Sequence, residues 1–314
     1  MQLPIELSHP CYHDEDAARA QLESIRWPNG PYCPICGSFD RVKPYGGKAM
    51  GPGWYWCTPC RRKFTVRVGS IFERSHIPIH KWLLGFRLMA GSKKGFSAHQ
   101  MHRTLKVDYK TAWFMEHRIR ECMDESASAN LLGGEDKFVE ADETYVGGRA
   151  KNRAYKAPPP KKAVFSLVER EGKARSFHIA NVTAETVRPL IVTVTSRKSH
   201  FRTDESGIYW KIGEEFATHR TVNHSAEEYV RGDAHTNTAE GMFSILKRGI
   251  YRIYQHVSEA HLQHYLHEFD FRYNNRVALG VNDAERATRA IQGAAGKRLT
   301  YRQPRSQAQA SGAA

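Results

Sequence analysis

The sequence predicts an α/β layer fold, entered through a cysteine-rich module and a helical segment. Three observations predict it. From Lys137 the chain turns strand-like, over Lys137–Val146, Ala163–Glu169 and Ala174–Val182. A stretch long enough to cross a sheet, Thr183–Ser196, then leads to two shorter strand-like runs, His200–Thr203 and Ala217–Val222. Two helical patterns follow, Thr238–Tyr251 and Ser258–Asn275. Strands, a crossover, further strands and closing helices are the order of a layered α/β domain. Thr183–Ser196 reads as the crossover helix, although its Val and Thr content also suits a strand.

The bulk composition narrows the class of partner. A chain of 314 residues has room for a core domain and one or two small modules. Lys plus Arg outnumber Asp plus Glu by 47 to 33, a formal charge of +14 that points to a polyanion, most simply nucleic acid. No apolar run approaches the ~20 residues a membrane helix needs. Met1–Pro10 has neither a basic nor an apolar signal region, so the expectation is a cytoplasmic protein without a membrane partner. In a reducing compartment, paired cysteines hold metal more often than they form disulfides.

Residues 15–68 read as a zinc ribbon. Cys33-Pro34-Ile35-Cys36 and Cys57-Thr58-Pro59-Cys60 are two knuckles separated by twenty residues. Two residues between cysteines let a tight turn aim both sulfurs at one ion, and four thiolates fill a tetrahedral Zn²⁺ shell. No position is left for water, so the expected role is structural. Arg61, Arg62 and Lys63 follow the second knuckle directly and suit contacts to DNA phosphates. Cys11 and Cys122 stand alone and read as buried thiols. Residues 69–130 read as a helical, helix-turn-helix-like segment. Ser97–Leu105 and Tyr109–Cys122 form two helices joined by a short turn, with Lys110 and Arg118 expected to face DNA. A plain helical hairpin is the competing reading.

Three acidic positions stand out in the remaining chain. Asp142 interrupts an apolar strand, where a carboxylate is costly to bury unless a cation accompanies it. Taken alone it also fits an exposed edge strand. Asp204 follows His200–Thr203, at the carboxyl end of a strand, where ligands of open α/β sheets collect. Glu240 and Lys247 lie two helical turns apart, with Asn237 one turn ahead of Glu240. One helix face then presents an amide, a carboxylate and an ammonium.

These residues closely resemble a known family. The Asp142 strand motif, Asp204 after a short strand, and His235-Thr236-Asn237-Thr238-Ala239-Glu240 running into Leu246-Lys247-Arg248 resemble insertion-sequence transposases of the DDE type. More narrowly, the chain is similar to the zinc-ribbon group called insertion-sequence family fifteen-ninety-five, or ISXO-two-like. The likeness covers about residues 15–280. It includes Val222-Asn223-His224-Ser225 and Glu268-Phe269-Asp270-Phe271-Arg272-Tyr273-Asn274. It implies an RNase H-like catalytic domain over 135–280, a mixed sheet flanked by helices. It further implies that Asp142, Asp204 and Glu240 hold Mg²⁺, with Mn²⁺ as an alternative, and that Lys247 and Arg248 meet DNA. Asn237 is a rival or helper for the third acidic position. Met242-Phe243 departs from the aromatic pair expected there, a change of packing only. The implied partners are double-stranded DNA, as element terminal repeats and target, and further copies of the chain in a homodimer or larger complex. A nucleoid-associated transposase is thus the expectation. The alternatives are a non-catalytic DNA-binding regulator, a nuclease that never joins strands, and an inactive copy. The Gln-, Ser- and Ala-rich end, residues 300–314, is expected to be disordered.

Overall fold

The computed structural model describes residues 2–47, 50–127, 130–148, 160–226, 228 and 230–300. The expected tail, apart from residue 300, and most of the basic loop 149–162 lie outside the described residues. In chain order the elements are α1 (Glu15–Arg26), β1 (Val42–Pro44), β2 (Tyr55–Cys57), β3 (Arg62–Phe64), α2 (Ile79–Gly91), α3 (Ala98–Leu105) and α4 (Tyr109–Cys122). There follow β4 (Phe138–Gly147), β5 (Lys161–Glu169), β6 (Ala174–Ile179), α5 (Ala184–Val194), β7 (His200–Thr203), α6 (Trp210–Gly213), β8 (Thr218–Thr221), α7 (Asn237–Arg248), α8 (Glu259–Asn274) and α9 (Asp283–Gln292). No helix among the described residues is long and apolar enough to cross a membrane.

The chain divides into two compact units. One combines Met1–Gly91, Ala98–Met123 and the chain from Asp283 onward. Here β1, β2 and β3 form a small antiparallel sheet in which Lys43, Trp56 and Lys63 lie in one cross-strand row. On its other face Trp27, just past α1, packs edge-on against Tyr55 and Phe64, with ring centroids 5.3 and 6.0 Å away. That contact supplies a core which so small a sheet lacks by itself. Helix α1 begins at Asp14, whose side chain accepts from the Ala17 amide. A Cβ at Gly85 of α2 would meet Ile119, Met101 and Leu105 at ordinary contact distance, so α3 and α4 pack against this part of α2. Helix α9 returns to this unit, where Arg286 donates to the Ala90 carbonyl at 3.0 Å.

The second unit holds a five-stranded sheet in the order β6-β5-β4-β7-β8. The β6-β5-β4 half is antiparallel, and β4-β7-β8 is parallel. This is the mixed RNase H-like sheet that the sequence predicts. Residues 184–194 are helical, so the crossover is a helix, begun by Thr183, whose side chain accepts from the Thr186 amide. The strand period of two sorts the sheet into two faces. Val139, Ala141, Phe165 and Leu167 pack with α5 residues Val187 and Ile191. Val146 and Val164 instead meet Phe243 and Leu246 of α7, and Leu262, Leu266 and Phe269 of α8. The helix expected to run to Tyr251 ends at Arg248 and passes into a π-helical turn, Gly249–Tyr254. Within it the Tyr251 hydroxyl accepts from the Gly147 amide at 3.1 Å, tying that turn to the end of β4.

Candidate active site and metal centre

The acids gather where β4, β7 and α7 meet. Asp142 lies on the α7 face of β4. In the parallel pairing of β4 with β7, Glu140 stands beside Arg202. Continuing that register by two residues sets Asp142 opposite Asp204, just beyond β7. Asp204 Oδ1 accepts from the Ser206 amide at 3.1 Å, which fixes the turn leaving the strand. Glu240 sits in the first turn of α7, near Thr236 Oγ1 at 3.4 Å.

Asp142, Glu143, Thr144, Glu240, Phe243, Ser244, Lys247 and Arg248 line an open cleft of about 510 Å³. Asn237 and Asp204 are not among its lining residues; Asp204 is joined to the site through its charge. Burial pushes the Asp142 carboxyl up to about 7. The Glu143 amide pulls against that rise, while the charges of Glu143, Asp204 and Glu240 add to it. Asp142, Glu143 and Asp204 are half-buried and Glu240 is exposed; the hard oxygens of such neighbouring carboxylates suit Mg²⁺ or Mn²⁺. Glu143 occupies the opposite strand face and accepts from the Tyr209 hydroxyl.

The sulfur site is more closely gathered. The four Sγ atoms of Cys33, Cys36, Cys57 and Cys60 lie within 4.8 Å of one another. Cys33 and Cys60, and likewise Cys36 and Cys57, are 3.5 Å apart. Zn–S bonds of ~2.3 Å in a tetrahedron put sulfurs about 3.8 Å apart, so this donor set fits structural zinc. Each knuckle closes on a left-handed residue, Gly37 (φ 74°) after Cys36 and Arg61 (φ 52°) after Cys60. Among the described residues these thiols are the group of possible metal donors converged within reach of one ion. The carboxylates are not gathered so tightly.

Comparison with known proteins gives the family. Residues 131–274 match the ISXO2-like transposase domain, and residues 13–63 match the transposase zinc-ribbon domain. An uncharacterized protein in transposable element ISH50 of Halobacterium salinarum is 30% identical over 275 residues. That alignment takes in 82% of this chain and 90% of the relative. The chain belongs to the IS1595 family of insertion-sequence transposases.

In this transposase the other residues expected to meet DNA part company. Arg61, Arg62, Lys63, Lys110 and Arg248 are exposed. Arg118 is not. Its residue is 9% exposed, and its guanidinium donates to the carbonyls of Ile71 at 2.7 Å and Leu299 at 3.2 Å. The expectation that Arg118 faces DNA is therefore corrected. The C-terminal half of α4 is buried, so an arginine there serves the interior. Cys11 and Cys122 are both buried, away from the sulfur site.

Sequence reasoning missed Glu140. It is a fully buried carboxylate two residues before Asp142. Its Oε2 accepts from the amides of Thr238 at 2.8 Å and Ala239 at 3.0 Å, in the first turn of α7. The signal was a second acid on the same strand face, at the spacing of two.

Proposed function

We propose that this transposase cuts DNA at the ends of its element and joins the freed 3′-ends to target DNA in the cytoplasm. Asp142, Asp204 and Glu240 act together in one site. The observation that carries this reading is that Asp142 and Glu240 line one open cleft between β4 and α7, while the β4–β7 register sets Asp204 opposite Asp142. Those three residues would hold Mg²⁺ or Mn²⁺. When bound, the cations relieve the negative charge that builds on the attacking and leaving oxygens of a phosphodiester. In the first reaction water adds to phosphorus at the element end, and the bond to the 3′-oxygen breaks, freeing a hydroxyl. In the second, that hydroxyl forms a bond to a target phosphorus and displaces the target strand's 3′-oxygen; its proton passes to solvent. No residue becomes covalently attached to DNA.

Lys247 lines the cleft two turns beyond Glu240 and would hold a phosphate beside the acids, with Arg248 next to it. Asn237, exposed at the first position of α7, serves as a helper at the DNA rather than as the third acid. The zinc ribbon offers Arg61, Arg62 and Lys63, and α4 offers Lys110, as phosphate contacts on double-stranded DNA. Processing two element ends requires at least a homodimer on DNA. The test is cleavage and joining of labelled DNA bearing the element's own ends, with Mg²⁺ or EDTA. Asp142→Ala and Asp204→Ala should each bind that DNA as wild type does and lose both reactions by more than about a thousandfold. Joining that persists in either variant sinks the assignment.

A further inference from the structure

Behind the cleft, charged groups that the proposed reaction does not use, with Glu140 and Arg202 buried among them, connect the three segments bearing the acids. Besides the two α7 amides, Glu140 accepts through Oε1 from Thr238 Oγ1 at 2.9 Å and Arg170 Nε at 2.6 Å. His235 Nδ1 lies 3.1 Å from the same oxygen. Arg170, in the turn after β5, also donates to the carbonyls of Asp233 at 2.9 Å and His235 at 3.0 Å. The Asp233 carboxylate in turn accepts from Arg202 Nη2 at 2.6 Å. Arg202 is 2% exposed, and the guanidiniums of Arg170 and Arg202 each pack 5.0 Å from the centre of the Phe138 ring.

Each proposed cation-holding acid follows a member of this network by two residues: Asp142 after Glu140, Asp204 after Arg202, and Glu240 after Thr238. On a strand, a step of two keeps side chains on one face. The network thus grips β4 and β7 on the face from which Asp142 and Asp204 act. At α7 it grips first-turn amides that have no partner within the helix. An apolar residue at position 140 would fill the same space without desolvating a carboxylate. It could not fix where α7 begins or how the helix is rotated, because apolar contact has no direction.

We propose that Glu140, Arg170, Arg202 and Asp233 are positioning residues, a charged frame buried at Glu140 and Arg202 that sets Asp142, Asp204 and Glu240 relative to one another. The frame does not touch the reacting atoms. The inference rests on the reading of those three acids as one cation-holding set.

The test uses the full-length, zinc-loaded chain without DNA. Mn²⁺ binding is titrated by calorimetry, amide exchange is followed in the first turn of α7, and thermal melting is recorded. The variants are Glu140→Gln and Arg170→Lys. Ile191→Ala, on the opposite face of the sheet, is the control for stability alone. Both frame variants should weaken Mn²⁺ binding by about tenfold or more, the usual cost of removing a partner behind a metal ligand. Glu140→Gln should also speed exchange at Thr238 and Ala239 by about tenfold or more, with the amides losing a charged acceptor. Ile191→Ala should melt earlier and bind Mn²⁺ as wild type does. Wild-type Mn²⁺ binding in the frame variants, or an equal loss in the control, overturns the frame. If wild type itself binds no Mn²⁺ at the cleft, the cation-site reading fails, and unchanged α7 exchange in Glu140→Gln overturns the anchoring separately. Should Glu140→Gln fail to fold, Arg170→Lys and Arg202→Lys, which keep the charge, supply the same readings.

Discussion

Arg118 and Lys63 carry the same charge in opposite surroundings, and each predicts a distinct loss. Lys63 is exposed on the ribbon, its ammonium 5.4 Å from the centre of the Trp54 ring. Lys63→Ala should leave stability within about 0.5 kcal/mol of wild type. It should flatten the dependence of log Kd on log salt by about one charge, read by anisotropy on labelled duplex. Arg118→Ala should do the reverse, costing about 2 kcal/mol as the buried Ile71 carbonyl and the half-buried Leu299 carbonyl lose their donor, with the salt slope unchanged. A shifted slope in Arg118→Ala would return that residue to the DNA. Asp270 gives a pH signature. Burial pushes its carboxyl up to about 7, against hydrogen bonds from the Ser176 amide and hydroxyl. The folded chain then keeps a proton that the unfolded chain releases near pH ~4. Asp270 therefore subtracts stability progressively as pH rises from about 4 to about 7. In Asp270→Asn the amide oxygen can still accept from the Ser176 amide while the amide nitrogen donates to the Ser176 hydroxyl, and the variant should gain on wild type across that window in denaturant titrations. A constant gap between the two proteins at pH 5 and 8 would rule this out.

Elements differ in what holds them. The ribbon sheet has strands of three residues and leans on Trp27, so its remaining support is the sulfur cluster. Stripping zinc with a chelator, or Cys36→Ser, should open residues 28–66 to limited proteolysis while residues 131–274 stay protected. A ribbon that resists cleavage without zinc would show that packing suffices. Helix α7 is held differently, by apolar residues along its length and by the buried carboxylate of Glu140 at its start. Its amphipathic pattern was legible because Met242, Ile245 and Leu246 recur at helical spacing, although Ile245 is only partly buried and Phe243 joins the core. The end at Arg248 was not, because residues 249–254 keep the composition of a helix while winding more widely. The choice between helix and strand for Thr183–Ser196 was resolved by packing: Val187, Ile191 and Val194 fall on one helical stripe against the sheet.

At the scale of the whole chain, the segment from Asp283 belongs with residues that precede the catalytic sheet. Helix α9 contacts α1, α2 and α4, and Thr288 Oγ1 accepts from the Leu3 amide at 2.8 Å. A chain ending at Asn282 should therefore lose amide protection in α1 and α2 and keep it in β4 and β5, as followed by hydrogen exchange. Loss confined to the sheet would contradict the division. Sequence by itself determined the features written at short range. Two knuckles state a metal site through their spacing, period-two runs state strands, and an acid inside an apolar strand marks Asp142 as unusual. Asp204 stood out by its place at the end of a short strand and Glu240 by its helical spacing from Lys247, and the family resemblance joined them to Asp142. Only the tertiary structure decided which charges face inward. Arg118, Glu140 and Arg202 look like any surface charge in a linear string, and each acquires its meaning from partners 30 to 181 residues away. Burial of a charge is set by the elements that close over it, and those contacts form between segments whose separation no local pattern records.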